Sequence, residues 1–137
     1  MQRKTFELEM KVRDYELDVQ GIVNNANYLH YMENTRHEFL QSLGITFLET
    51  RKQGFDPVLV RADLQYKTPL TGGEEFISSL TVDRKGVKLI FNQQIYRKRD
   101  GILCCKGKIE CAVLQDGKLS RGDFYDDYIK DYLIENG

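Results

Sequence analysis

The chain has almost no net charge: 20 Lys and Arg against 21 Asp and Glu leave a formal charge of −1 over 137 residues. That balance gives no electrostatic case for a nucleic-acid footprint or a polybasic membrane surface. No apolar run approaches the roughly 20 residues of a membrane span, and the first residues, Met1-Gln2-Arg3-Lys4-Thr5-Phe6, lack the apolar stretch of a secretory signal. Cysteine is scarce, and the three present, Cys104, Cys105 and Cys111, are odd in number and clustered. A disulfide framework is therefore not expected. With no Cys-x-x-Cys pair and no histidine cluster beside them, neither is a zinc site, and the cysteines read as small buried hydrophobes in a reducing compartment. These absences point to the cytoplasm. Repeats, low-complexity segments and interdomain linkers are also missing, so residues 1–137 read as one domain.

What is present is mostly short-period pattern. Phe6, Leu8, Met10 and Val12 alternate with Glu7, Glu9, Lys11 and Arg13, predicting a half-buried strand over residues 5–13. A polar, Asn-rich loop over residues 14–26 follows. The period then changes: Tyr28, Met32, Thr35, Phe39 and Leu43, widened by Leu29 and Leu40, predict an amphipathic helix from about 27 to 43. Asn25 or Asn27 is the expected cap, and Gly44 the expected stop. Strands are predicted over residues 58–66, 75–84, 87–98 and 102–114. The last two form a hairpin around Arg99-Asp100-Gly101, because Asp-Gly favours such turns. A further turn is read at Gln115-Asp116-Gly117-Lys118, and a short helix in the tail between Asp123 and Glu135. One strand, one long helix and then several antiparallel strands is an α+β order.

The chemistry concentrates in the loop before the long helix. Asp18 is a lone carboxylate close to a helix N-terminus, where free N–H groups and the helix dipole favour developing negative charge. An acid beside a preformed oxyanion site is a minimal apparatus for attacking a carbonyl. The ordinary role of an isolated loop aspartate, an Asx turn or a helix cap, is the alternative. Glu33 and Arg36 are spaced to pair on the helix. Tyr28 and Met32 read as core. His30 and His37, seven apart, read as surface or interface residues.

Asp18, Gly21, Val23, Asn24, Asn25 and Tyr28, followed by Glu33 and Arg36, resemble the motif of the hotdog-fold acyl-CoA thioesterases of the 4-hydroxybenzoyl-CoA thioesterase type. Upstream Val12-Arg13-Asp14-Tyr15-Glu16-Leu17, downstream Asp63-Leu64-Gln65-Tyr66-Lys67-Thr68-Pro69-Leu70 and the Gly73-Glu74 turn are similar too, in the same order. The resemblance implies a hotdog fold, a curved antiparallel sheet wrapped around one long helix, assembled as a homodimer or a homotetramer built as a dimer of dimers. It implies hydrolysis of an acyl-CoA thioester, with Asp18 as nucleophile or general base and the backbone N–H of Asn25 as oxyanion donor. Gly21, Asn24, Tyr28 and Tyr66 are the implied substrate-side positions. No metal or organic cofactor is implied. A related branch carries its acid on the helix, which makes Glu33 the second candidate.

The chain departs from many relatives in having Ile22 and Asn25 where they have histidine. This weighs against a histidine-assisted step and against a dehydratase. Acyl carrier protein in place of CoA, or a non-catalytic acyl-binding module, are the alternative readings. The basic residues Arg84, Lys85, Lys88, Arg97, Lys98 and Arg99 are candidates to meet CoA phosphates or an acidic carrier, with solvated strand ends the ordinary explanation.

Overall fold

The computed structural model describes residues 4–133. Its six strands are β1 (Phe6–Lys11), β2 (Phe55–Tyr66), β3 (Glu75–Lys85), β4 (Lys88–Arg97), β5 (Leu103–Gln115) and β6 (Lys118–Leu119). All are antiparallel, in the order β1-β3-β4-β5-β2, with β6 paired to β5. The helices are α1 (Asn25–Ser42), α2 (Phe47–Lys52) and α3 (Asp126–Ile129). The sheet curls around α1, whose buried face (Tyr28, Tyr31, Met32, Thr35, Arg36, Phe39 and Leu40) packs on inward residues such as Phe76, Leu80, Phe91, Ile95 and Ile109. This is the hotdog arrangement that the resemblance implies.

Local chemistry explains the ends of α1. The N-cap is Asn24, not Asn25 or Asn27: it is extended (φ −60°, ψ 137°), and its side chain accepts from the Ala26 N–H at 3.0 Å. Asn25 is therefore the first helical residue. Asn27 instead donates its side-chain amide to the Glu16 carbonyl at 2.9 Å. At the other end Gly44 donates to Gln41 and Ile45 to Leu40, the paired bonds of a Schellman motif.

Two elements differ from the sequence reading for reasons of tertiary context. Helix α2, capped by the Thr46 hydroxyl, has only six residues, too few to show a periodic stripe. Strand β2 starts at Phe55 and so includes Pro57, which a central strand would not tolerate. As an edge strand bonded only to β5, it needs no second ladder. The hairpin turn at residues 98–101 forms as expected, with Arg97 gripping Asp100. A register shift between Ile95 and Tyr96 in the β4–β5 ladder lets consecutive Cys104 and Cys105 both be buried. All three cysteines are free and buried.

The tail helix is shorter than the sequence suggests, and Ile134 and Glu135 lie outside the described residues. The tail docks on the chain's own core. Phe124 stacks on Phe55 at 3.9 Å, Tyr132 meets Phe39 edge-on at 4.8 Å, and Tyr125 and Ile129 are buried. Arg84 fixes its start, donating to the Gly122 carbonyl and pairing with Asp126. Gly122 has φ +79°, and a Cβ there would fall 2.0 Å from the Val87 carbonyl oxygen. Gly122→Ala is expected to cost about 2–4 kcal/mol from strain plus overlap. Denaturant unfolding checks this, and an unshifted midpoint would refute the close crossing.

Candidate active site

The loop before α1 is folded back on itself. Leu17 bridges to Val23, the Asp18 N–H donates to Ile22 at 2.8 Å, and the Asn24 N–H donates to Glu16 at 3.0 Å. Gly21, at φ +79°, makes the reversal possible. Asp18 is half-buried at this turn. Its Oδ1 accepts from the Gln20 N–H at 2.8 Å and, more weakly, from the Ile22 N–H at 3.4 Å. The Asx-turn role and the reactive role are thus not exclusive. One oxygen is anchored, and Oδ2 accepts no hydrogen bond among the described residues, which orients the carboxylate without consuming it.

The helix entrance supplies the complementary donor. The Ala26 N–H goes to the Asn24 side chain and the Asn27 N–H to the Asn24 carbonyl. The Asn25 N–H has no acceptor among the described residues. It sits in the first turn of an 18-residue helix, where the dipole favours an anion. Tyr66 closes the other side: its hydroxyl donates to the Asn25 carbonyl at 3.3 Å, and its ring, half exposed, meets Tyr28 edge-on at 5.5 Å.

The family model for the thioesterase-like superfamily matches residues 12–124, which contain all of these groups. The chain belongs to this superfamily. It is 36% identical over 115 residues to a chloroplastic acyl-acyl carrier protein thioesterase of Arabidopsis thaliana, covering 82% of this chain and 59% of that protein. It therefore spans about three fifths of that relative's length. A putative acyl-CoA thioesterase of Bacillus subtilis is 35% identical over 89 residues, 64% of each chain. Among solved structures, a 1,4-dihydroxy-2-naphthoyl-CoA thioesterase from Synechocystis superposes with TM-score 0.84 at 16% identity, covering 94% of this chain and 96% of that one, a likeness of fold.

Within this thioesterase-like chain, Gly21 and Asn24 shape the turn between Asp18 and Asn25, Tyr66 reaches the Asn25 carbonyl, and Tyr28 packs against the Tyr66 ring. Tyr28 is 3% exposed, and its hydroxyl accepts from the Leu70 N–H at 3.0 Å. It supports the Tyr66 ring and ties α1 to the chain after β2, and burial pushes its phenol up. The sequence reading missed Glu16. Its carbonyl takes the Asn24 N–H and the Asn27 amide, and its carboxylate accepts from the Arg13 N–H at 2.7 Å and the Tyr31 hydroxyl at 2.9 Å. Burial and this carboxylate both push the Tyr31 phenol up. The i,i+3 spacing of Arg13 and Glu16, a capping-box pattern, was its only local signal.

The expected Glu33–Arg36 pair does not form. Glu33 faces His37 at 3.8 Å, while Arg36 turns inward and donates to the Gln93 side chain at 2.9 Å. Gln93, wholly buried, donates in turn to the Met32 carbonyl at 3.0 Å. Burial lowers the Arg36 pKa. Beside this guanidinium lies a cavity of about 210 Å³ between α1 and the sheet. Among the described residues, five of the six basic residues at the strand ends form ion pairs within the chain, Arg84 with Asp126 included. Arg97 pairs with Asp100, Arg99 with Glu74, Lys98 with Glu9 and Glu75, and Lys88 with Glu110. Among the described residues no group of three or more His, Cys, Asp or Glu could hold a metal ion, and no helix is long and apolar enough to cross a membrane.

Proposed function

We propose that this protein hydrolyses acyl thioesters, with CoA as the carrier, releasing a free acid and a thiol. One observation carries the reading: a carboxylate with one oxygen anchored lies in the turn that leads, seven residues on, to an uncommitted N–H at the start of a long helix. The Asn25 N–H receives the oxyanion as the thioester carbonyl becomes tetrahedral. Asp18 either attacks the carbonyl carbon itself, forming an acyl intermediate that water then opens, or takes a proton from the water that attacks. In both routes the C–S bond breaks, and the thiolate leaves without needing a strong general acid. Gly21 and Asn24 shape the loop around the reacting group, and Tyr66 flanks it. Three free buried cysteines fit a reducing compartment, the cytoplasm.

The site is completed by a second copy of the chain in this reading. Strand β2 is an edge of the sheet whose outer side has no partner strand among the described residues, and Leu59, Val60 and Tyr66 lie along it about half exposed. Such an edge beside the catalytic mouth suits isologous pairing into one continuous sheet.

Acyl carrier protein is the second reading, favoured by the 36% identity to the plant enzyme of that name. Thiol release should be measured with matched acyl groups on CoA and on acyl carrier protein, alongside sedimentation of the same sample. Release from CoA esters by a dimer or larger assembly is expected. Release only from the carrier protein would overturn the choice of CoA and keep the chemistry; release from neither would overturn the reaction.

A further inference from the structure

The cavity beside α1 runs along one face of the helix. Leu29, Glu33, Arg36 and Leu40 line it, and Asn25 lies on the same i,i+4 track one turn before Leu29. Burial grades along the lining. Glu33, His37 and Leu59 are about half exposed, whereas Leu89, Phe91 and Tyr125 are nearly or wholly buried. Strand β2 flanks the same path in the opposite direction. Its Tyr66 end touches the Asn25 carbonyl, and its Phe55 end stacks on Phe124, beside Tyr125. Asn25 thus stands on the cavity's face of the helix but outside its lining, and an acyl chain entering there and following this face would be led towards Tyr125, with about 22 Å of axis between Asn25 and Leu40.

Tyr125 belongs to the tail segment, just past the end of the superfamily match at residue 124, whereas the rest of the lining falls inside that match. That segment is firmly placed by the Phe124–Phe55 stack, buried Ile129, the Tyr132–Phe39 contact and the Arg84–Asp126 pair. The Tyr125 ring itself is 1% exposed.

We propose that Tyr125 is a specificity-determining residue: its ring is the end wall of the acyl cavity and sets the longest acyl chain the enzyme takes well. The inference rests on the thioesterase reading and adds the part of the chain that measures the substrate. An unbranched aliphatic acyl group suits the apolar part of the lining, Leu29, Leu40, Leu89 and Phe91. A chain that outgrows the cavity must either displace the docked tail or leave methylenes in water.

The test is kcat/KM for straight-chain acyl thioesters of increasing length, on the carrier that the wild type accepts. Wild type is compared with Tyr125→Ala, the gentler Tyr125→Leu and Tyr128→Ala. Tyr128 is about half exposed on α3, which begins just after Tyr125, and lies outside the cavity lining, so its variant controls for disturbance of the tail. Shortening Tyr125 should extend the accepted length, and a chain two carbons beyond the wild-type optimum should gain roughly tenfold, the worth of two buried methylenes. Tyr128→Ala should keep the wild-type length profile. An unchanged profile in folded Tyr125→Ala and Tyr125→Leu would overturn the inference alone. So would an equal loss at every length, which is what general support of the fold would give. If the wild type releases thiol from no ester, the thioesterase reading falls and the inference falls with it.

Discussion

Asp18→Asn is expected to lower kcat for thioester hydrolysis by about 10²–10⁴-fold, the range for loss of a positioned acid–base group, while leaving the fold in place. The substitution is nearly isosteric, and the loop depends on Asp18 through Oδ1, which accepts from the Gln20 and Ile22 N–H groups. An asparagine carbonyl oxygen can accept the same bonds. What it cannot do is attack as a carboxylate or take a proton from water. Stability should therefore change by no more than about 1 kcal/mol, since neutral acceptors make somewhat weaker bonds than charged ones. Steady-state kinetics and a thermal melt of the same preparation read the two effects separately. Turnover equal to wild type would remove Asp18 from the chemistry and turn attention to Glu33, at the mouth of the cavity.

Asn25→Pro should lower kcat by about 10²–10³-fold, the usual cost of one missing oxyanion donor. Proline removes the N–H in question and nothing else that α1 needs. Asn25 is the first helical residue, where proline is favoured because the lost donor has no intrahelical partner. The preceding Asn24 has ψ 137°, within the range that a following proline imposes. The Asn25 carbonyl, which accepts from Tyr66, is retained. Asn25→Ala keeps the N–H and is the comparison. A large loss in the proline variant with a much smaller one in the alanine variant assigns the role to the backbone. Equal losses would move it to the side chain and overturn the oxyanion assignment.

These two positions show how unevenly the site could be read. The Asp18 loop and the Asn25 entrance were legible because the motif is contiguous and its chemistry is local: a turn glycine, a cap and a helix start lie within eight residues of one another. Even so, the cap, expected at Asn25 or Asn27, fell at Asn24, since three asparagines in four positions offer equivalent capping side chains. Tyr28 matched the substrate-side motif position, and its ring is buried. Tyr66, on a distant strand, is the tyrosine whose hydroxyl reaches the Asn25 carbonyl. Arg36 was assigned to Glu33 by helix spacing, and its partner proved to be Gln93, 57 residues away. No local rule finds such a partner, because a buried guanidinium takes whichever acceptor the folded sheet presents.

By itself the sequence determined the alternation of β1, the hairpin at Asp100-Gly101, the long helix and its glycine stop. Each depends on residues within a few positions of one another, where period and turn chemistry act. The tertiary structure decided that β2 is an edge and so can carry Pro57, and that Arg36 points inward. It also decided that the tail folds back to put Tyr125 in the lining of the cavity. Each of those outcomes depends on neighbours far apart in the chain. The buried surface and hydrogen-bond partners that fix them exist only once the sheet has closed around the helix.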